Sequence, residues 1–333
     1  MSFDPKHVKE ANRILAAARA DRDARRAVFE VQCRQRLPQL ATLDKAIQGT
    51  VAKAIAAALQ QGVDPSQAVE SARRENLELQ QQRLELLKAA GIDPQDLEHT
   101  PLCPICNDTG WHGGQLCQCV SQLAAAENVK ELGRQLDLAQ FDFDAFQLRW
   151  YDGAFDPKLG ASPRELMESV LAICKDYAGL FPAYPTRNLY LYGGTGRGKT
   201  FLSGCIAKTV AQGGHWAVYA TAGALFAQYE AVKFNRDDQG EAQEDVRRYE
   251  NCDLLVLDDL GSEMTTPFVQ SALYQLLNQR MIAGKHTVIS SNLDMDAVRS
   301  RYVPQVASRL EGEFQELPFF GRDIRLQKKE EKL

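Results

Sequence analysis

The chain has 333 residues, of which 44% are hydrophobic and 25% charged, and its formal net charge is −5. This composition is typical of a folded globular protein, and the length allows about two or three domains. Because the net charge is negative, nucleic acid could be bound only through a local basic patch. The N-terminus is charged and lacks a secretory signal pattern, and no apolar run approaches the roughly 18 residues of a membrane span. We therefore expect a cytoplasmic protein with no membrane partner, whose eight cysteines are reduced.

Residues 1–100 are rich in Ala, Leu, Gln, Arg and Glu, which favours helices. The segments "GVDPSQ" and "GIDPQD" each place a glycine before an Asp-Pro pair, a pattern that ends one helix and begins the next. The predicted helices span about 5–37, 42–61, 65–90 and 94–98. We interpret this region as a helical domain that binds a partner protein; the alternative is a helical cap packed on the chain's own second domain.

Residues 186–333 alternate apolar strands with helices, which predicts a three-layer α/β domain around a parallel sheet. The candidate strands are "NLYLYG", "HWAVYATA", "DLLVLDDL" and "HTVISSNL", with "DIRLQ" as a fifth. Residues 121–185 are predicted to be a linker with lead-in helices, one over 120–135 and one capped by Ser162 and Pro163. The aromatic-rich "FDFDAFQLRWYDG" between those helices suits a domain junction.

The segment "GGTGRGKT" fits the phosphate-binding pattern G-x-x-x-x-G-K-[ST] without a mismatch and follows a predicted strand. Its backbone N–H groups would surround phosphate oxygens, helped by the positive end of the following helix. Lys199 would meet the β- and γ-phosphates, and Thr200 would bind Mg²⁺. The predicted ATP-binding residues in this loop are Gly193, Gly194, Thr195, Gly196, Arg197, Gly198, Lys199 and Thr200.

Carboxylates and an amide end two of the predicted strands. Asp258 would bind Mg²⁺ and Asp259 would act as the general base that polarises water. Asn292 follows the next strand and could orient that water, although an isolated asparagine is more often a turn former. Arg309 and Arg325 are candidates to stabilise charge on the transferring phosphoryl group, against the alternative of ordinary surface arginines.

Four cysteines lie in "CPICNDTGWHGGQLCQC", and their C-x₂-C-x₁₀-C-x-C spacing predicts a structural zinc site over residues 101–120. The predicted ligands are Cys103, Cys106, Cys117 and Cys119. His112 stays an alternative ligand, and thiol redox chemistry or chance clustering is the alternative to zinc. A metal would stabilise a segment with so little apolar surface, and Trp111 or His112 could also contact DNA. The other cysteines are expected to be packing residues.

Together, "YLYGGTGRGKTFLSGCIA", "CDLLVLDDLGSEMTTPFVQSALYQLLNQRM", "TVISSNLDMDAVRSRYVPQVASRL" and "GRDIRL" resemble the AAA+ ATPase domain of DnaC/DnaI-type bacterial helicase loaders. These loaders belong to the IstB-like ATP-binding superfamily. The resemblance covers about residues 140–326 and implies Walker A and B motifs, sensor 1 at Asn292, an arginine finger at Arg309 and sensor 2 at Arg325. It also implies an extra helical segment near 261–268 beside a path for single-stranded DNA. The cysteine segment resembles the zinc element of the DnaI-like branch.

The resemblance implies an ATP-dependent loader that binds the hexameric replicative helicase and delivers it onto single-stranded DNA during replication initiation or restart. A homo-oligomer is expected when ATP, DNA or helicase is bound. Many AAA+ proteins have Glu where this chain has Asp259, so we expect slow hydrolysis and a switch-like use of ATP. The alternatives are an IstB-like transposition helper ATPase acting with a transposase on DNA, a P-loop metabolic kinase, and a zinc adaptor with a vestigial nucleotide site.

Overall fold

The computed structural model describes residues 3–58, 66–98, 100–237 and 239–331. The chain divides into two compact units, one formed by residues 12–117 and the other by residues 118–333 together with 1–11. Of the helices described, none is long and apolar enough to cross a membrane.

The first unit is helical. Helix α1 spans Pro5–Arg36 and begins in the other unit, α2 spans Pro38–Ala58, α3 spans Ser66–Ala89, and a 3₁₀ turn covers Pro94–Leu97. The predicted helices are thus confirmed over the described residues. Helix α2 begins four residues earlier than predicted, because proline is well suited to the first helical position. The predicted break at Gly62 lies outside the described residues.

The core of this helical unit is small. Cys33, Leu40, Leu87 and Ile92 are buried together, and an ion pair of 2.8 Å joins Arg83 Nε on α3 to Asp44 Oδ1 on α2. Several large apolar side chains instead point into solvent with more than half of their surface exposed. They are Val28, Val31, Val51, Ile55 and Leu77.

A two-stranded hairpin lies between the predicted zinc ligands. Strand β1 (Trp111–His112) pairs antiparallel with β2 (Gln115–Leu116). Gly113 and Gly114 form the turn with φ of 59° and 77°, a left-handed pair that a two-residue hairpin turn requires.

The second unit is the predicted α/β domain with two lead-in helices. Helix α4 spans Gln118–Gln135 and α5 spans Pro163–Gly179. Ser162 caps α5 as predicted, and its reciprocal bonds with Glu165 complete a capping box. Two 3₁₀ turns, Phe143–Ala145 and Leu148–Trp150, lie between these helices.

The elements that follow alternate as predicted. The strands are β3 (Asn188–Tyr192), β4 (Ala217–Thr221), β5 (Leu254–Leu260), β6 (His286–Ser291) and β7 (Phe314–Pro318). The helices are α6 (Lys199–Gln212), α7 (Ala222–Lys233), α8 (Glu241–Asn251), α9 (Pro267–Ile282), α10 (Met295–Arg301), α11 (Pro304–Glu313) and α12 (Ile324–Glu330).

The five strands form one parallel sheet in the order β4-β5-β6-β3-β7. Alternate residues of each strand enter two separate cores, since successive strand side chains point to opposite faces. In β5, Leu255 and Leu257 belong to one core, whereas Leu254 and Val256 pack with α6 in the other. The three-layer α/β fold is therefore confirmed.

The prediction of the fifth strand is wrong. The segment "DIRLQ" begins helix α12, where the Asp323 side chain accepts a hydrogen bond from the backbone N–H of Arg325. The fifth strand is β7, whose Phe314 and Leu317 are buried. Asp is a favoured N-cap, and the Gln, Lys and Glu residues that follow favour helix over strand.

Candidate functional site

The loop Gly193–Thr200 connects β3 to α6 at the carboxyl edge of the sheet, as its motif predicts. Gly198 has φ of +95°, and a Cβ there would lie 3.0 Å from the hydroxyl of Tyr151. At Gly196, with φ of +71°, a Cβ would lie 2.0 Å from Asp323 Oδ1. A Cβ would clash at Gly196, and the positive φ of both glycines would strain any side chain placed there, so glycine lets the loop backbone pack closely against its neighbours.

Lys199 is the first residue of α6 and is almost fully buried. Its ammonium group donates to Gly193 O at 2.7 Å, Gly194 O at 2.9 Å and Asn292 Oδ1 at 2.8 Å. Burial lowers the pKa of Lys199 to about 8, although the charge of Asp259 opposes that shift. Three oxygen acceptors thus hold the ammonium group in the loop, where it faces the space enclosed by the glycines.

Asp258 lies in the carboxyl-terminal half of β5 with 5% of its surface exposed. Thr200 Oγ1 donates to the Asp258 carboxylate at 3.1 and 3.2 Å. Tyr219 on β4 donates to Oδ2 at 2.5 Å, and Ser290 on β6 donates to Oδ1. Buried carboxylate and hydroxyl oxygens are hard ligands suited to Mg²⁺, so Thr200 and Asp258 fit the predicted magnesium site.

A β-bulge brings the second carboxylate to the same edge. Leu257 pairs with Ile289 and Leu260 with Ser291, so two residues of β5, Asp258 and Asp259, face one residue of β6. Asp259 takes the left-handed backbone conformation, with φ of +59°. Without the bulge, consecutive strand side chains would point to opposite faces of the sheet.

Asn292 connects Lys199 to Asp259. Its Oδ1 accepts from Lys199, and its Nδ2 donates to Asp259 Oδ1 at 3.1 Å. The structure therefore brings together five predicted residues from α6, from β5 and from the position after β6: Lys199, Thr200, Asp258, Asp259 and Asn292.

A cleft of about 380 Å³ lies beside the loop. One wall comes from the aromatic-rich segment and includes Phe141, Phe146 and Trp150; the other includes residues 196–201 and the start of α12. The aromatic segment was expected to be a domain junction, and its place in the wall of this cleft was not predicted. The density of aromatic residues in 141–151 was the available signal.

The two predicted arginines lie in different surroundings. Arg325 is in the first turn of α12 and lines the cleft together with Lys328. Arg309 lies on α11, where its guanidinium donates to Asn278 Oδ1 at 3.0 Å on α9. Within the described part of the chain, Arg309 forms no hydrogen bond with the loop.

The expectation of an extra helical segment near 261–268 is wrong for most of that range. Residues 261–266 form a turn and an extended stretch, and α9 begins at Pro267. Gly261 N–H donates to Glu263 Oε2 at 2.7 Å, and Tyr302 donates to the other oxygen of that buried carboxylate. Thr266 then caps α9, which fixes the start of that helix at Pro267.

The four predicted zinc ligands lie together, with their sulfur atoms all within 4.8 Å of one another. Cys103 Sγ and Cys117 Sγ are 3.7 Å apart, close to the roughly 3.8 Å edge of a tetrahedron with zinc–sulfur bonds of about 2.3 Å. The described cysteines form no disulfide. His112 lies outside the cluster on the exposed end of β1. The cysteine set alone therefore fits a closed Cys₄ site.

Asp108 supports the first cysteine pair. It is buried, and it accepts from the backbone N–H of Cys103 at 2.8 Å and of Leu102 at 3.2 Å. Arg22 on α1 donates to the same carboxylate at 2.5 Å and to Thr100 O at 3.0 Å. The knuckle is thus held to α1 by charge-assisted bonds.

A second cluster lies where α1 begins. His7 Nε2 is 2.6 Å from Glu131 Oε2, and Arg248 is 2.7 Å from Asp4 Oδ2 and 2.6 Å from Glu131 Oε1. Although burial raises the pKa of Glu131, the bond with His7 and the charge of Arg248 lower it to about 2. The Arg248 guanidinium forms ion pairs with both carboxylates, so we interpret this cluster as an ion-pair network.

Comparison with solved structures returned matches that cover a little more than half of this chain. AMPPCP-bound DnaA from Aquifex aeolicus is 20% identical with a TM-score of 0.43, and the match covers 58% of this chain and 55% of that one. The DnaC helicase loader is 16% identical with a TM-score of 0.45, covering 55% and 99%. DnaI is 19% identical with a TM-score of 0.43, covering 56% and 92%. The chain thus spans about half the length of the DnaA structure, and likenesses at this level carry no information about partners.

The model of the family described as IstB-like ATP binding protein matches residues 121–306. These are 186 of the 333 residues, so the match covers more than half of the chain and includes the loop, both aspartates and Asn292. The superfamily inferred from the motifs is therefore confirmed, and the chain belongs to the IstB-like ATP-binding protein family.

Proposed function

We propose that the protein is an ATP-switched loader that binds the hexameric replicative DNA helicase and delivers it onto single-stranded DNA. The proposed nucleotide chemistry is supported by one observation. Five side chains lie together at one edge of the sheet: Lys199, Thr200, Asp258, Asp259 and Asn292. These groups match the charge and hydrogen-bonding needs of a nucleoside triphosphate.

ATP would bind with its phosphates in the loop and its base in the neighbouring cleft. The loop N–H groups and Lys199 would face the phosphates. Trp150 lines the cleft, with the guanidinium of Arg149 4.7 Å and the ammonium of Lys328 5.8 Å from its ring centroid, and the base would replace one of these cations on the aromatic face. Arg325 adds positive charge from the start of α12. Phosphate binding would draw Lys199 away from Asn292.

Hydrolysis would use the carboxylates of the bulge. Asp259 would accept a proton from the attacking water, and Asn292 would orient that water. Thr200 and Asp258 would hold Mg²⁺, which when bound neutralises charge between the β- and γ-phosphates. The shorter side chain of Asp259, compared with Glu, favours slow turnover and a switch.

The helical unit is the proposed helicase-binding part. Its outward-facing apolar side chains include Val31 on α1 and Val51 and Ile55 on α2, and exposed apolar side chains at helical spacing suit docking of a partner helix. The cysteine cluster, with zinc bound, would stabilise the segment that leads into α4.

Arg309 is the proposed contribution to a neighbouring subunit. Its bond with Asn278 within the same chain would exchange for a phosphate oxygen of the next protomer in a homo-oligomer formed with ATP, DNA or helicase. Arg309→Ala should leave ATP affinity unchanged and lower DNA- or helicase-stimulated turnover. Parent-like stimulated turnover in this variant would remove Arg309 from the proposal.

The first experiment is light-scattering mass of the full chain mixed with the replicative helicase of its host, with and without ATP. We expect a defined complex that is lost in a Val31→Glu/Ile55→Glu variant and kept in Ile282→Glu. Ile282 is the matched control, because it is 80% exposed at the end of α9. Absence of a complex in every nucleotide state would refute the loader proposal.

The second candidate is a transposition helper that acts with a transposase on DNA. The family match favours it, because the matching model is described as IstB-like. Complex formation with a transposase, and none with the helicase, would select this candidate.

A further inference from the structure

The two carboxylates of the bulge share one neighbour, Ser290 on β6. The bulge leaves Ser290 opposite both Asp258 and Asp259. Its hydroxyl donates to Asp258 Oδ1, and its oxygen accepts from the backbone N–H of Asp259 at 3.0 Å. A serine hydroxyl has one proton and two lone pairs, so both bonds form at the same time.

Tyr219 holds the opposite side of Asp258. Its hydroxyl donates to Oδ2 at 2.5 Å, whereas Ser290 donates to Oδ1. A phenol has one O–H donor and an ionised carboxylate only accepts, so Tyr219 is the donor in this bond. Two donors on opposite oxygens fix both the direction and the plane of the carboxylate.

The side chains of Tyr219, Asp258 and Ser290 lie on the same face of the sheet. Tyr219 pairs in register with Val256, and Ser290 is two residues beyond Val288. Tyr219, Val256 and Val288 belong to the same core as α6, the helix that carries Thr200. Ser290 and Tyr219 are 1% and 7% exposed, so water does not compete for these bonds.

We propose that Ser290 and Tyr219 are positioning residues, which together aim Asp258 at the magnesium ion, while Ser290 also holds the left-handed backbone of Asp259. This inference rests on the proposed ATP chemistry and deepens it. A left-handed backbone is disfavoured for a residue with a side chain, and the Ser290 bond to the Asp259 N–H stabilises that conformation. Neither residue is expected to touch the nucleotide.

The test measures the affinity of the full chain for a fluorescent, non-hydrolysable ATP analogue, once with Mg²⁺ and once with EDTA. The ratio of the two affinities reports how well Asp258 is aimed at the ion, independently of turnover. We expect Tyr219→Phe and Ser290→Ala to bind the analogue in EDTA as tightly as the parent does. The factor by which Mg²⁺ raises their affinity for the analogue should be about tenfold smaller than in the parent. Ser290→Ala should in addition lower kcat for ATP more than it changes KM, since it also releases Asp259.

Tyr177→Phe is the matched control. Tyr177 is a buried tyrosine of α5 whose hydroxyl donates to the backbone oxygen of Arg187 at 2.8 Å, so Tyr177→Phe also removes one buried tyrosine hydroxyl and its hydrogen bond, but none to Asp258. Its Mg²⁺ gain should equal that of the parent. Tyr219→Phe changes only a hydroxyl, so it keeps the test decisive if Ser290→Ala does not fold.

The outcomes separate the two proposals. If the parent gains affinity from Mg²⁺ and both variants keep that gain in full, the positioning role is refuted and the ATP function stands. If affinity in EDTA falls as far as affinity in Mg²⁺, the residues shape the fold and not the ion site. A parent that binds no analogue would refute the ATP function, and with it this inference.

Discussion

Replacing Asp259 by asparagine should abolish most ATP hydrolysis while leaving the fold intact. The substitution exchanges one carboxylate oxygen for an amide nitrogen of similar size. Asparagine tolerates the left-handed backbone observed here, with φ of +59°, as well as aspartate does. In the parent, Asn292 Nδ2 donates to Asp259 Oδ1 at 3.1 Å, and the remaining side-chain oxygen of the variant can still accept this bond. We therefore expect a change in the free energy of unfolding below about 1 kcal/mol.

The expected loss of rate is much larger. A positioned general base contributes about 10²- to 10⁴-fold, which corresponds to about 3–5 kcal/mol of activation free energy at 1.36 kcal/mol per tenfold. The amide of Asp259→Asn has no comparable basicity, so kcat should fall within that range. Asp259→Gly suits the same backbone and also lacks the carboxylate, so its kcat should fall by the same factor.

The assay is phosphate release under saturating ATP and Mg²⁺, combined with ATP affinity and thermal melting of the same preparations. Asp296→Asn is the control, because Asp296 on α10 loses the same charge but forms only a surface ion pair of 2.7 Å with Arg299. If Asp259→Asn turns over within about threefold of the parent, well below the effect of a general base, Asp259 is not the base.

Three further predictions concern other parts of the molecule. Glu131→Gln should destabilise the protein by up to about 3 kcal/mol at pH 7, from the lowering of the Glu131 pKa from 4.5 to about 2 at about 1.4 kcal/mol per unit. A depressed carboxyl pKa stabilises in full above its unfolded value and loses that effect as the pH falls to the folded value. Urea unfolding should therefore show the difference in stability shrinking between about pH 4.5 and pH 2, and a constant difference would contradict the ion-pair account. Trp150→Ala should weaken ATP binding by about tenfold, given about 1–3 kcal/mol for stacking of a base, and equal affinity by titration would place the base elsewhere. Cys106→Ser should lose the one zinc ion that elemental analysis is expected to find in the parent and should melt earlier, whereas Cys174→Ala, a buried cysteine of α5, should keep the zinc; a zinc-free parent would refute the Cys₄ prediction.

Features that depend on neighbouring residues were predictable. The loop from Gly193 to Thr200 follows a pattern in which each residue type has a backbone or phosphate role, so its place between a strand and a helix followed directly. The cap at Ser162 and the cysteine cluster also depend on residues close in sequence. For the same reason the helices of the first unit were found to within a few residues.

Features that depend on distant pairing were missed. Periodicity cannot reveal that one extra residue enters β5, because a bulge becomes visible only against the partner strand. The bond between Ser290 and Asp258 joins residues 32 apart, and Tyr219 looked like an ordinary apolar strand residue. The "DIRLQ" segment, which has the alternation of a strand, becomes a helix because Asp323 caps it beside Gly196.

The sequence by itself therefore determined which groups are available for the chemistry: a phosphate loop, two consecutive carboxylates, an amide and a thiol cluster. The tertiary structure decided how they act together. Register in the parallel sheet placed both aspartates opposite one serine, and the packing of the aromatic segment against α6 built a cleft beside the loop. The physical reason is that hydrogen bonds and cavities between elements depend on distances that only the packed sheet fixes.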